Sequence, residues 1–222
     1  MTTKVLNHVV VEPQSGDPTH ATWLVICHGL GDSHRGWLPI VPYLQLPQCG
    51  FVVVDAPMPY YDGYSWFRIP GLTGPSDSAA DFQTDFTASR LALTQFLDHL
   101  ATSRGVTAER LILMGFSQGC QMVLAHGMRA DQRYRGIIGI SGRLGDIAEY
   151  PAAFGSAAKE QDFLVTHGHH DPMIPIATSR TQIAALRDEQ GLKMDWREYV
   201  KEHGIDPQDE IPAIRAWIQE RL

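Results

Sequence analysis

A serine between two glycines is the residue of this sequence whose surroundings best suit covalent chemistry. The stretch Gly115-Phe-Ser-Gln-Gly119 follows the apolar run Leu111–Met114 and precedes a helix-like segment, Cys120–Met128. Strand, G-x-S-x-G and helix in this order form a nucleophile elbow, a sharp turn that exposes the serine hydroxyl. Small residues at both ends of the motif relieve the clashes at such a turn. Ser117 is therefore the candidate nucleophile, although the motif alone also fits a tight turn with a solvated serine.

A serine nucleophile needs N–H donors that stabilise the negative oxygen of the tetrahedral intermediate. The first N–H groups of the helix after the elbow favour negative charge there. A second donor is expected from the loop after an earlier strand, which here is Cys27-His-Gly-Leu-Gly-Asp32. Glycines on either side of Leu30 allow its N–H to turn inward. We predict an oxyanion hole made by the backbone N–H groups of Leu30 and Gln118, with His28 as a structural residue of the loop.

The nucleophile also needs a base and an acid that orients the base. Asp171 follows the apolar run Phe163–Thr166, and His203 follows Trp196–Val200 as the only histidine downstream of Asp171. The chain order serine, acid, histidine is that of the α/β-hydrolase arrangement. We predict a triad in which His203 takes the proton of Ser117 and Asp171 orients the imidazole. Taken singly, His203 also fits a solvated loop histidine, and Asp171 a turn-forming Asp-Pro.

Other residues with reactive side chains are assigned to simpler roles. His167, His169 and His170 share one short loop with Asp171. Ligands packed so closely cannot easily converge on one ion, and no cluster of Cys or Glu accompanies them, so no metal is expected. His126 and Cys120 follow the elbow; we expect a satisfied, partly buried histidine and a core cysteine.

The elements that must position these residues alternate along the chain. Apolar, β-branched runs without polar alternation are typical of strands covered on both faces. Seven such runs predict strands: Val9–Val11, Trp23–Cys27, Phe51–Val54, Leu111–Gly115, Gly136–Ile140, Phe163–Thr166 and Trp196–Val200. The clearest helix begins at the capping-box pattern Ser78-x-x-Asp81 and ends at Gly105. Further helices are predicted at Leu38–Leu44, Cys120–Met128, Ala177–Gln190 and Glu210–Leu222. The alternation predicts an α/β fold, a mainly parallel central sheet with helices on both faces.

One long segment, about 57–78, lacks these patterns. It is rich in Pro, Gly, Tyr and Ser, and it concentrates aromatic side chains: Tyr60, Tyr61, Tyr64, Trp66 and Phe67. We interpret it as a functional active-site loop rather than a linker.

Length and composition limit the function classes. A chain of 222 residues suits one α/β domain, residues 1–222. A net charge of −7, spread along the sequence, argues against binding to nucleic acid or to anionic lipid. No apolar run approaches the length of a membrane span, and the N-terminal run is too short and polar for a signal peptide. Three cysteines indicate reduced core residues of a cytoplasmic protein. The sequence does not decide between a monomer and a homodimer.

Together the motifs resemble the acyl-protein thioesterase and small carboxylesterase family, also called the phospholipase/carboxylesterase family of α/β-hydrolases. The matching stretches are His28-Gly-Leu-Gly-Asp32, Trp66-Phe67, Gly115-Phe-Ser-Gln-Gly119, Ile140-Ser-Gly142, Gly168-x-x-Asp171-x-x-x-Pro175 and His203-Gly204. The resemblance implies cofactor-free hydrolysis of carboxylic esters or thioesters through an acyl-serine. It also implies an acyl pocket roofed by the loop around Trp66–Thr73. On this basis we expect substrate contacts from four residues: Trp66, Phe67, Leu72 and Ile174.

Two departures from the family pattern concern substrate preference more than catalysis. Cys120 stands where the family usually has glycine, and Arg68 where an acidic residue is common. The resemblance implies small-molecule or acyl-chain esters and thioesters as substrates. Acylated proteins contain the same bonds and are a further substrate class that it implies. Two alternatives stay open: a dienelactone-hydrolase-like or acyl-transfer enzyme, and a non-catalytic ligand-binding protein on the same fold. The intact Ser, Asp and His favour an enzyme, since a receptor need not keep all three.

Overall fold

Strands and helices alternate throughout residues 5–145 and 151–222, the part of the chain that the computed structural model describes. The strands are β1 (His8–Val11), β2 (Trp23–Cys27), β3 (Gly50–Val54), β4 (Met58–Tyr60), β5 (Gly63–Ser65), β6 (Leu111–Phe116), β7 (Gly136–Ile140), β8 (Asp162–Gly168) and β9 (Lys193–Tyr199). The helices are α1 (His34–Trp37), α2 (Val41–Leu44), α3 (Ala79–Arg104), α4 (Gln118–Arg129), α5 (Ile176–Asp188) and α6 (Glu210–Gln219).

Seven of these strands form one sheet, and each corresponds to a run predicted from the sequence. Their order across the sheet is β1-β3-β2-β6-β7-β8-β9, with β1 antiparallel to β3 and every other pair parallel. This confirms the mainly parallel α/β architecture. Cys27 lies opposite Gly115 in the register, so β2 and β6 end side by side. The loops that follow the two strands therefore start from one edge of the sheet, where open α/β sheets place their sites.

Both faces of the sheet are covered, as the continuous apolar runs predict. Along β2, Val25 and Cys27 belong to one buried cluster, whereas Leu24 and Ile26 belong to another. The first cluster includes apolar residues of α3, α4 and α5, and the second includes those of α1, α2 and α6. Successive side chains of a strand point to opposite faces, so one five-residue strand anchors helices on both sides.

The longest helix, α3, has the start and end that the sequence predicts. The Ser78 hydroxyl accepts from the Asp81 N–H at 3.2 Å, and the Asp81 carboxylate accepts from the Ser78 N–H at 3.0 Å. Gly105 ends the helix at a φ of 64°, in the left-handed region. The predicted helix Leu38–Leu44 is wrong in its extent, because α1 ends before it, at Trp37, and α2 covers only Val41–Leu44. Pro42 lies in the first turn of α2, where its missing N–H costs nothing.

The aromatic segment 57–78 contains a hairpin that the sequence patterns do not indicate. Its strands β4 and β5 pair antiparallel, with Met58 opposite Ser65 and Tyr60 opposite Gly63. Strands of three residues are too short for an alternating pattern to emerge. None of the described helices combines the length and apolar character needed to cross a bilayer.

Candidate active site

Ser117 occupies a strained turn between β6 and α4. Its φ of 53° and ψ of −112° lie outside the regions that non-glycine residues commonly adopt. A Cβ at position 115 would lie 2.2 Å from the Gly119 oxygen, and one at position 119 would lie 2.0 Å from the Cys27 oxygen. Both positions therefore require glycine, because the elbow packs against its own helix start and against the end of β2. This close packing holds the serine at the edge of the sheet.

Three predicted site residues form one hydrogen-bonded line. His203 Nε2 lies 3.0 Å from Ser117 Oγ, and His203 Nδ1 lies 2.8 Å from Asp171 Oδ2. The second oxygen, Oδ1, accepts from the backbone N–H groups of Met173 and Ile174 at 2.9 and 2.8 Å. A carboxylate beside Nδ1 favours the tautomer with the proton on that nitrogen, which leaves Nε2 free to accept from a hydroxyl.

The Asp171 carboxyl is held in its charged form. Its side chain is buried, and burial by itself raises the pKa of a carboxyl group. Hydrogen bonds from His203, from Ile174 and from Met173 outweigh this effect, so the pKa of Asp171 lies below its ordinary value. The residue therefore stays ionised through the neutral range and can orient the imidazole and stabilise its protonated form.

The loop that carries His203 is anchored by an ion pair that sequence reasoning missed. Lys201 Nζ lies 2.6 and 2.7 Å from the Glu210 carboxylate oxygens, 2.7 Å from the Gly204 carbonyl oxygen and 3.0 Å from Ser141 Oγ. The Lys201 and Glu210 side chains are 7% and 0% exposed, so this pair is removed from water. Breaking a buried pair typically costs about 3–5 kcal/mol. This network therefore fixes the backbone directly after His203.

His167 supports the loop that carries Asp171. His167 is fully buried at the end of β8, and its Nε2 donates to the Ile174 carbonyl oxygen at 2.9 Å. Burial lowers the pKa of His167, in keeping with a neutral ring. His169 is instead partly exposed, and its Nε2 lies 3.6 Å from Glu198 Oε2. His167 therefore lies in the core, whereas His169 lies at the surface beside Glu198.

Leu30 and Gln118, the predicted oxyanion-hole residues, both line the cavity that contains Ser117 and His203. Gln118 is the first residue of α4, and the first N–H groups of a helix have no intrahelical partner. The β4–β5 hairpin fixes the loop around Leu30: the Gly31 N–H donates to the Tyr64 oxygen at 2.8 Å. The Tyr64 N–H donates in turn to the Asp32 oxygen at 2.9 Å. The hairpin therefore acts as a clamp on this loop.

His28 has the structural position expected for it. Its Nε2 accepts from the Ala56 N–H at 3.0 Å, so Nδ1 carries the proton and donates to the Gly29 oxygen at 2.6 Å. The ring is fully buried, and burial lowers its pKa. His28 is thus a neutral link between the Leu30 loop and the end of β3.

Trp66 lies beneath the cavity rather than in its wall, contrary to the expected substrate contact. Its side chain is 0% exposed, and its indole N–H donates to the His28 oxygen at 2.9 Å. Its backbone N–H donates to Gln118 Oε1 at 2.9 Å, while Gln118 Nε2 donates to the Phe67 oxygen at 2.7 Å. Trp66 therefore ties both halves of the predicted oxyanion hole together. The indole is buried in the core, where a substrate cannot contact it.

The cavity above Ser117 has a volume of about 730 Å³. Phe67, Leu72 and Ile174 line it, as expected from the family resemblance. Ile69 and Pro70 also line it and belong to the Trp66–Thr73 segment that the resemblance predicts as its roof. Sequence reasoning missed five further apolar lining residues: Ala79, Phe82, Phe116, Leu144 and Met173. It also missed four polar lining residues: Asp32, Gln121, Arg143 and Gln182. Apolar spacing within 57–78 cannot identify them, because several come from α3, α4 and the loops after β7 and β8.

The aromatic cluster of segment 57–78 contributes less to the cavity than its composition suggests. Phe67 is the member of the cluster that lines the cavity among the described residues. Tyr61 is 90% exposed, and Tyr64 packs against the core through the hairpin. Arg68 points to α3, with its Nε 2.6 Å from Asp85 Oδ2 and an Nη 3.1 Å from Asp81 Oδ1. Arg68 thus anchors the loop on the helix.

Cys120 and His126 belong to the core, as predicted. Cys120 is fully buried, and burial raises the pKa of its thiol to about 12. Its sulfur packs where a Cβ at Gly139 or Gly142 would lie, away from the cavity. His126 Nε2 lies 2.8 Å from the Tyr134 hydroxyl, and burial lowers the His126 pKa to about 4. Neither group is positioned to act on a ligand beside Ser117.

Comparison with known proteins agrees with this geometry. The phospholipase/carboxylesterase family model matches residues 6–221. The chain belongs to the phospholipase/carboxylesterase family.

Among similar members of the family is acyl-protein thioesterase 1 of Schizosaccharomyces pombe. It is 29% identical over 206 residues, which cover 87% of this chain and 86% of that relative. The crystal structure of esterase PE8 is 25% identical and has a TM-score of 0.86, covering 99% of this chain and 100% of that one. The structure of Zea mays acyl-protein thioesterase 2, 19% identical with a TM-score of 0.74 over 97% of this chain and 98% of that one, supports the shared fold. The predicted family and fold are thus confirmed.

Proposed function

We propose that this protein hydrolyses carboxylic esters and thioesters through an acyl-serine intermediate on Ser117. The observation that carries the proposal is the line of hydrogen bonds from Asp171 through His203 to Ser117, which ends at an apolar cavity. Membership of the phospholipase/carboxylesterase family and the names of the relatives support the same chemistry.

The reaction proceeds in two displacements. In the first, Ser117 Oγ attacks the acyl carbon while His203 Nε2 takes the hydroxyl proton. The backbone N–H groups of Leu30 and Gln118 stabilise the oxyanion, and the leaving alcohol or thiol departs with the proton from His203. In the second, His203 takes a proton from water, which attacks the acyl carbon; the bond to Ser117 Oγ then breaks, His203 returns the proton to Oγ, and the acid is released. Asp171 stabilises the imidazolium in both steps.

Water as the final acceptor distinguishes hydrolysis from acyl transfer, one of the functions that the sequence leaves open. The cavity is open to solvent around Leu72, which is 50% exposed, so water reaches the acyl-serine without a second bound substrate. This supports hydrolysis over acyl transfer, whereas a dienelactone-type enzyme also uses water and differs in its substrate. A non-catalytic binding protein has no need of a serine held at a strained φ beside a base. The thioesterase relatives extend the proposal to acylated proteins, whose acyl chain would enter the same cavity.

A fluorophosphonate probe tests the proposal directly, because it phosphonylates only activated serines. We expect stoichiometric labelling, with the mass shift on the peptide that contains Ser117. Cys120→Ala should label at the wild-type rate, whereas Ser117→Ala should not label. A label on another residue, or none on the folded wild-type protein, would contradict the proposal.

The exposed wall residue Leu72 should set the preference for acyl-chain length. Each methylene removed from water contributes about 0.8 kcal/mol, so kcat/KM should rise several-fold per added pair of carbons until the cavity is full. In Leu72→Ala, we expect kcat/KM for the p-nitrophenyl octanoate ester to fall roughly threefold to tenfold relative to the acetate ester. Measurements with esters of C2 to C16 check this.

Leu91→Ala is the matched control for this prediction. Leu91 is 55% exposed, close to the 50% of Leu72, but it lies on α3 outside the cavity wall. Its chain-length profile should follow that of the wild-type protein. Superimposable profiles for all three proteins would show that Leu72 does not contact the acyl chain. Trp66→Ala is unsuitable as a probe, because Trp66 joins the two oxyanion loops.

The remaining proposals concern the whole protein. We propose that residues 1–222 act as one domain with an active-site loop at about 57–78, supported by the single seven-stranded sheet that spans β1 to β9. We also propose a cytoplasmic location, which suits the three buried, free cysteines Cys27, Cys49 and Cys120. Light scattering distinguishes a monomer from the homodimer that the sequence leaves open.

A further inference from the structure

We propose that Arg143 makes the cavity selective for esters or thioesters that carry a carboxylate group at a distance from the scissile bond. This inference rests on the proposed hydrolysis at Ser117 and names the substrate class of that site. Arg143 lies in the cavity wall together with Ser117 and His203, and its side chain is exposed. An arginine in an otherwise largely apolar wall offers several N–H donors that match the geometry of a carboxylate.

The backbone on both sides of Arg143 is held rigidly by α5. The Gly142 carbonyl oxygen accepts from the Ser179 hydroxyl at 2.8 Å. The Leu144 N–H donates to Gln182 Oε1 at 2.9 Å, and the Leu144 oxygen accepts from Gln182 Nε2 at 2.9 Å. The backbone at Arg143 therefore needs no ordering when the guanidinium binds an anion, and the cost of binding is confined to fixing its side chain. Such preorganisation is typical of residues that recognise a ligand.

The guanidinium of Arg143 differs from those of several other arginines in the described part of the chain. Arg68, Arg133 and Arg180 each pair with a carboxylate at 2.6 to 2.9 Å. Within residues 5–145 and 151–222, no carboxylate forms an ion pair with Arg143. Among the described residues, no carboxylate therefore competes with a substrate in the cavity for the Arg143 guanidinium.

The other polar groups of the wall differ from Arg143 in charge. Asp32 is the carboxylate among the described lining residues, and its Oδ1 accepts from the Ser33 N–H at 2.7 Å in the loop that follows Leu30. Its negative charge disfavours an anion close to that loop. Gln121 and Gln182, which carry no charge, line the cavity with Arg143, and Gln182 hydrogen-bonds the Leu144 backbone beside it. An uncharged scissile group at Ser117 and a carboxylate at Arg143 therefore suit the charges of this wall.

The net charge of −7 does not cancel this local attraction. At physiological ionic strength, screening limits interactions between exposed charges to roughly 8 Å, so a contacting arginine dominates over distant carboxylates. The same screening should weaken the selectivity as salt is added, because Arg143 is exposed.

Two pairs of aryl esters test the inference, one with the charge on each side of the scissile bond. On the acyl side, 4-nitrophenyl hydrogen adipate is compared with its neutral methyl ester. On the leaving-group side, 4-butanoyloxybenzoate is compared with 4-butanoyloxybenzamide. For at least one pair, we expect the ratio of kcat/KM for the anionic over the neutral ester to fall roughly threefold to tenfold in Arg143→Gln, mainly through KM.

Two further variants separate recognition from structure and from net charge. Arg143→Lys keeps the positive charge and should restore part of the ratio. Arg187→Gln removes the same charge outside the cavity wall, where Arg187 pairs with Asp188, and should keep the wild-type ratio. Sodium chloride at 0.5 M should lower the ratio in the wild-type protein but not in Arg143→Gln.

The outcomes distinguish this inference from the proposed function. Hydrolysis of the neutral esters with equal ratios in wild type, Arg143→Gln and Arg187→Gln would overturn the role of Arg143 alone. A folded wild-type protein that hydrolyses none of the four esters would overturn both proposals. An effect confined to one pair supports the inference and places the carboxylate on the acyl or the leaving-group side.

Discussion

Replacing Ser117 by alanine is expected to lower kcat/KM for p-nitrophenyl butyrate on the order of 10⁴-fold or more. The variant loses the attacking oxygen and the hydrogen bond to His203 Nε2, so no acyl-enzyme forms. Since each tenfold change in rate corresponds to about 1.4 kcal/mol, this loss represents roughly 5–6 kcal/mol of transition-state stabilisation. Any residual hydrolysis would come from attack of water on an ester that is bound with its carbonyl oxygen in the oxyanion hole.

The same substitution should leave the fold intact. Alanine keeps the Cβ of Ser117, so the strained φ of 53° and the packing of the neighbouring glycines are unchanged. The unfolding temperature should therefore stay within a few degrees of the wild-type value, as differential scanning calorimetry can check. A folded Ser117→Ala protein that keeps more than a few per cent of its activity would require another nucleophile.

Cys120→Ala provides the matched control for this experiment. Cys120 follows Ser117 closely in the chain, but its thiol is buried and its pKa is raised to about 12. It is therefore protonated at neutral pH, and Cys120 is not among the described residues that line the cavity. We expect Cys120→Ala to retain most of the wild-type kcat/KM, and a loss comparable to that of Ser117→Ala would implicate the thiol.

The sequence predicts the triad because its members sit at the ends of recognisable strands. Ser117, Asp171 and His203 each follow an apolar run, and parallel strands end at a common edge. The glycines at 115 and 119 are explained by local sterics, which a five-residue motif contains in full. These inferences need no knowledge of how distant segments pack.

Features that depend on contacts between distant segments could not be predicted in the same way. Trp66 has the composition of a pocket residue, but its hydrogen bonds to Gln118 and His28 span 52 and 38 positions of the chain. The Lys201–Glu210 pair leaves no periodic pattern in the sequence. Its importance comes from the burial of both side chains beside Ser141, which depends on tertiary packing. Only the packed structure shows which large or charged side chain faces the core and which faces the cavity.

The pH dependence of hydrolysis is expected to report a single proton on His203. Only the neutral imidazole can accept the serine proton, so kcat/KM should rise with pH and then reach a plateau in measurements from pH 5.5 to 8.5. Because its hydrogen bonds keep the pKa of Asp171 below the ordinary value, Asp171 stays ionised across this range and adds no second step. The logarithm of kcat/KM should therefore rise with a slope of one below the plateau.

The stability of the folded protein also changes with pH, and three buried histidines determine the direction of that change. Burial lowers the pKa values of His28, His126 and His167, so each stays neutral in the folded protein while the unfolded chain takes up protons below about pH 6.5. Their contribution to stability is fully present above that pH and is lost as the pH falls toward the lowered folded values. The unfolding temperature should therefore decrease between pH 6.5 and 5.

His203→Gln separates the catalytic proton from the stability effect. This variant keeps His28, His126 and His167, so its unfolding temperature should fall with acidification as in the wild-type protein. Its kcat/KM should instead be low and flat with pH, because glutamine cannot accept the serine proton. Rates from pH 5.5 to 8.5, taken only where calorimetry shows a folded protein, make the comparison. An activity profile in His203→Gln that still rises with the wild-type slope would assign the general base to another residue, with His169 and His170 as the nearest histidines in the Asp171 loop.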